Sequence, residues 1–78
     1  MQLPEETIKK ISNRLKRAEG QIRGVDQMVH MSKSPKEVFS QIKAITSALR
    51  GVEDIILQNY LETYNGNTEE LITLIKKM

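Results

Sequence analysis

Cysteine and tryptophan are absent from the chain, and the other scarce side chains are one Phe, one His and two Tyr. Without cysteine there is no disulfide framework, no thiolate zinc site and no thiol nucleophile, and one His cannot assemble a His-rich metal centre. With so few aromatics in 78 residues there is little large apolar volume for a core, so the chain is expected to need a partner. No apolar run approaches the ~20 residues of a membrane span, and the start, Met1-Gln2-Leu3-Pro4-Glu5-Glu6, lacks the basic-then-apolar layout of a leader. A cytoplasmic protein with no membrane partner is expected. No spacing matches a phosphate loop or a catalytic triad, so no enzyme is expected and no cofactor is implied.

What is present is charge, unevenly placed. The formal net charge is only +2, yet Lys9, Lys10, Arg14, Lys16, Arg17 and Arg23 face a single acid, Glu19, between residues 9 and 23. Between residues 51 and 75 the charged residues are all acidic: Glu53, Asp54, Glu62, Glu69 and Glu70. This segregation suggests one face for an anionic partner and another kept away from it.

Apolar residues at Ile8, Ile11, Leu15, Ala18, Ile22, Val25 and Val29 alternate spacings of three and four, the seam of a helix running from about Pro4 to Met31. Ser34-Pro35-Lys36-Glu37 reads as a capping box with Pro at the first helical position. The second helix then carries a seam of Val38, Ile42, Ile45, Leu49, Val52 and Ile56. A second apolar row comprises Phe39, Ala44, Ala48, Ile55, Tyr60, Leu61 and Tyr64. Asn65-Gly66 suits a helix end, Asn67-Thr68-Glu69-Glu70 resembles another capping box, and a short third helix follows. The expected fold is all-α, one domain over residues 1–78. Two long antiparallel helices would pair with those of a second copy in a four-helix bundle, as an obligate dimer or a dimer of dimers.

On a helical wheel Lys10, Arg14, Arg17 and Gln21 fall within about 60° of one another, beside the apolar seam, while Lys9, Lys16 and Arg23 form a second stripe. Arg and Gln at such positions can hold phosphates and reach base edges, although a charged helix face can equally be just solvated. The basic segment lies within a long helix, which excludes a helix-turn-helix. Met28, His30 and Met31 could be drawn as a soft-metal site, or as a His at the negative helix end with packing methionines. Tyr60 and Tyr64, one turn apart, could line a pocket or fill a core. Gly20, Gly24 and Gly51 lie in helical segments, where close approach of another helix or of DNA would explain them.

Several of these segments together resemble a known family. They are Arg14-Leu15-Lys16-Arg17-Ala18-Glu19-Gly20-Gln21-Ile22-Arg23-Gly24, then Met28-Val29, then the run Val38 to Leu49, and finally Tyr60-Leu61-Glu62-Thr63. In this order and spacing they are similar to the CsoR/RcnR family of bacterial metal-sensing transcriptional repressors, over Arg14 to Ile75. The resemblance implies an antiparallel four-helix dimer, a tetramer of two dimers, and double-stranded operator DNA as partner. It marks Arg14 as the family's helix-one arginine and Lys16, Arg17 and Gln21 as further contacts. A basic position on helix two falls at Gly51, with Arg50 one place earlier as a substitute. The family's sensing ligands, a Cys, a His and a further Cys or His, fall at Pro35, Tyr60 and Tyr64, none a normal copper or nickel ligand. The early Cys used in persulfide and formaldehyde sensing is missing too. Glu70 matches an acid that supports those ligands. The expectation is a repressor without the usual metal or thiol sensor, with an organic effector at the tyrosines conceivable. The alternative is a helical heteromerisation protein that has lost DNA binding.

Overall fold

The computed structural model describes residues 1–64, 66 and 68–78. Three helices follow one another: α1 (Glu5–His30), α2 (Pro35–Glu62) and α3 (Thr68–Lys77). Among the described residues there is no strand. The chain is all-α, as its periodicities predict.

Each boundary has a local cause. Pro4 stands just outside α1 in extended conformation (φ −57°, ψ 149°), and its carbonyl accepts from Ile8 N at 3.0 Å. Helix one therefore starts one residue later than expected, with Glu5 and Glu6 in the turn where the backbone dipole is positive. It ends at His30, and Ser32 takes φ +55° to reverse the chain. The capping box of α2 is present in full: Glu37 N donates to Ser34 Oγ at 3.3 Å, and Ser34 N donates to Glu37 Oε2 at 3.4 Å. Beyond α2, Gly66 adopts φ +90°, a conformation that favours glycine. The Asn65 half of the expected helix end and the Asn67 cap of α3 lie outside the described residues.

α1 and α2 form an antiparallel hairpin, which carries the close backbone contacts between elements. With 26 and 28 residues they are about 39 and 42 Å long. The molecule measures 51 × 27 × 13 Å, and its radius of gyration of 16.1 Å exceeds the value of about 11.5 Å for a compact chain of this length. A slab 13 Å thin has no interior, and among the described residues only Ala18 and Val52 are buried hydrophobics.

The seams inferred from spacing split into two rows. On α1, buried Ala18 and half-buried Ile11 and Val25 share one row, while on α2 Val52 is buried and Val38, Ile45, Ala48, Ile55 and Ile56 are half-buried. The other row of α1, Ile8, Leu15, Ile22 and Val29, is 51%, 42%, 53% and 60% exposed. On α2, Phe39, Ile42 and Leu49 are exposed as well. Toward its C-terminal end α2 has a neighbour instead: Ile56 and Leu57 share an apolar cleft with Leu74 and Met78 of the α3 segment.

Candidate nucleic-acid interface

The basic residues of α1 are carried on both sides of the exposed apolar row. Lys10, Arg14, Arg17 and Gln21 flank the α1–α2 contact on one side. Lys9, Lys16 and Arg23 lie on the outer surface, about 130° further round the axis. Arg14, Arg17 and Gln21 converge with Ala48 of α2 on one shallow cleft of about 120 Å³. Lys10 lines a second depression one turn toward the N-terminus, with Thr7 and, from α2, Ile55, Gln58, Asn59 and Glu62. None of Lys10, Arg14, Arg17 or Arg23 is in an ion pair among the described residues. Their charges are available to an outside anion.

Two details of the cleft were not legible in the stripe pattern. The side-chain oxygen of Gln21 is buried and accepts no hydrogen bond among the described residues, an acceptor awaiting a donor. Gly51 of α2 lies beneath Arg14: a Cβ built there would sit 2.9 Å from Nη1 and 3.8 Å from Cζ of the guanidinium. The glycine thus accommodates a side chain rather than a backbone, which differs from the reason expected of it. The register explains the pairing, because a hairpin folded about Ser32 and Lys33 brings residue 14 level with residue 51. Arg50, next along α2, points elsewhere and lines a cleft with Glu53, Asp54 and Met78.

Of the three sensor positions, Pro35 lies far from the two tyrosines within one chain. Pro35 opens α2 and Tyr60 is in its last turn, so some 25 residues of helix, about 38 Å, separate them. Tyr60 and Tyr64 meet edge to face, with ring centroids 6.0 Å apart and planes at 61°. The Tyr60 hydroxyl is buried and without a hydrogen-bond partner among the described residues. Burial pushes its pKa above the usual tyrosine value, and the nearby Glu70 carboxylate and Tyr64 push in the same direction.

Met28, His30 and Met31 do not converge. Met28 and His30 are about 160° apart around the helix axis, and Met28 turns toward Lys36, Glu37, Ser40 and Gln41 of α2. His30 Nδ1 lies 2.8 Å from the Asp26 carbonyl and 3.6 Å from its carboxylate, a helix-end arrangement. Among the described residues no three His, Cys, Asp or Glu side chains are grouped as a metal site, and no helix is long and apolar enough to cross a membrane.

The sequence profile of the family described as "Metal-sensitive transcriptional repressor" matches residues 7–77. The chain belongs to that family. Its members are transcriptional repressors rather than enzymes. Among curated proteins it is similar to the copper-sensing transcriptional repressor RicR of Mycobacterium tuberculosis, 44% identical over 50 residues that cover 64% of this chain and 52% of RicR. It is also similar to the copper-sensing transcriptional repressor CsoR of Bacillus subtilis, 38% identical over 50 residues covering 64% of this chain and 50% of CsoR. The matched segments thus span about half the length of these relatives. No solved structure matches significantly.

Proposed function

We propose that this member of the metal-sensitive repressor family binds double-stranded operator DNA through the α1 flank of Lys10, Arg14, Arg17 and Gln21, as a homo-oligomer. The supporting observation is the convergence of Arg14, Arg17 and Gln21 on one cleft, with no carboxylate in ion-pair contact with them among the described residues. Such a flank holds phosphates, releases counterions and needs no helix-turn-helix. Lys16 and Arg23, on the outer stripe, contribute through the general field, while Arg50 shares its cleft with two acids and contributes least. The exposed row Ile8, Leu15, Ile22 and Val29, continued by Ile42 and Leu49, is the surface on which a second copy closes a four-helix bundle.

The residues at the family's sensing positions do not suit copper or nickel. Pro35 offers no donor, and a phenol is a poor replacement for thiolate or imidazole. The proposal is therefore a repressor without the usual metal or thiol response. An organic effector at Tyr60 and Tyr64 is open to a screen for compounds that raise Tm or shift DNA affinity.

The test is a titration of the purified protein against the DNA upstream of its own coding region, across salt, with and without copper. Tight binding that weakens steeply with salt and ignores copper is the expected result. Binding abolished by copper would overturn the sensing part of the proposal. No DNA binding, with tight mixed oligomers formed with a related repressor, would favour the heteromerisation reading instead.

A further inference from the structure

A glycine inside a 28-residue helix calls for a reason, because alanine at the same place would favour the helix. At Gly51 the reason is visible in the side chain above it. The Arg14 guanidinium crosses from α1 and lies on α2 where any Cβ would intrude, with Nη1 at 2.9 Å from the position that Cβ would take. The neighbouring small residue Ala48, one turn earlier on the same face, lines the cleft that Arg14 shares with Arg17 and Gln21. The bare backbone at position 51 thus sets how low Arg14 lies and gathers its charge with that of Arg17 around one point. Without that recess the long Arg14 side chain would stand off α2 and sample rotamers in solvent, and each phosphate contact would carry a larger ordering cost.

We propose that Gly51 is a positioning residue for DNA binding: its missing side chain seats Arg14 against α2, so that Arg14 and Arg17 act as one phosphate clamp. This rests on the proposed use of the α1 flank for DNA. It assigns to α2 a part in presenting that flank without any basic residue of its own at position 51.

The substitution Gly51→Ala tests this, and its two effects should go in opposite directions. The alanine methyl meets only the far end of a flexible side chain, which can swing away, so the variant should fold, and its better helix propensity should raise Tm by about 4–8 °C. Displacing Arg14 should weaken binding to duplex DNA from the region upstream of the coding sequence by about three- to tenfold and flatten its salt dependence. The decisive comparison is a cycle of Gly51→Ala, Arg14→Ala and the double variant. The double variant should bind no more weakly than Arg14→Ala alone, since Gly51 acts through Arg14. Equal and additive losses in both backgrounds would overturn the positioning role, as would unchanged affinity in Gly51→Ala when Arg14→Ala is impaired; either result leaves the proposed DNA flank standing. Unchanged affinity in Arg14→Ala would instead remove the flank itself.

Discussion

The two sides of α1 lie on one helix and are built for opposite conditions. Ile8, Leu15, Ile22 and Val29 recur every seven residues and stay exposed although they are apolar. Lys10, Arg14, Arg17 and Gln21 follow one another at spacings of four, three and four on the other side of the α2 contact, where the exposed charges of Lys10, Arg14 and Arg17 are solvated. The apolar side carries free energy that only burial releases, and it is indifferent to salt. The basic side is already content in water and gains only when counterions are released from an anion, so it is governed by salt. On the proposed reading one helix specifies assembly and DNA binding separately, with the second copy covering one side and leaving the other open.

The largest expected effect comes from breaking the apolar side. Ile22→Glu forfeits about 1.5–3 kcal/mol of burial per copy, and a two-fold interface repeats the loss, so association should weaken by at least about a hundredfold. Sedimentation equilibrium would register this as a shift toward monomer at all salt concentrations. An unchanged assembly would mean that another surface joins the copies. Next comes the basic side. Arg14→Ala and Arg17→Ala should each cost about 1–2 kcal/mol of DNA binding and reduce the salt slope by about one released ion, with the oligomer intact. If either variant also dissociated the oligomer, the two sides would not be separate.

The spacing of apolar residues is enough to read three helices, their order and the capping box at Ser34, because each depends on neighbours within a few residues. It does not tell which half of a seam faces inward. Ile11 and Ile8 belong to one three-four pattern, yet the first packs on α2 while the second is exposed, and only the hairpin's register decides between them. The basic stripe is legible for the same reason the helix is, and Arg14, Arg17 and Gln21 do come together. Arg50 cannot be placed from spacing, since one helical step of 100° turns it away from Gly51 and toward Glu53 and Asp54. The Gly51 recess needs both the register and a side chain reaching across helices. A control for the locally determined part is Ser34→Ala, which removes one half of the capping box and should cost about 1 kcal/mol in thermal or denaturant unfolding. Salt slope and oligomer size should not move, since Ser34 lies on neither side of α1.

The smallest effect should come from Lys16→Ala. Lys16 sits with Lys9 and Arg23 on the outer stripe, about 130° from the Arg14 flank, so a duplex seated against that flank meets Lys16 only through solvent. At physiological salt the screening length is about 8 Å, and a charge that far round a helix with its side chains, about 10–12 Å across, should change affinity by no more than about twofold. The deficit should vanish when salt is raised further. A loss as large as that of Arg14→Ala, with a matching fall in salt slope, would mean that the outer stripe touches phosphate directly. The duplex would then have to bridge two protomers whose α1 helices present different faces, and DNA contact would depend on how the second pair of copies is docked.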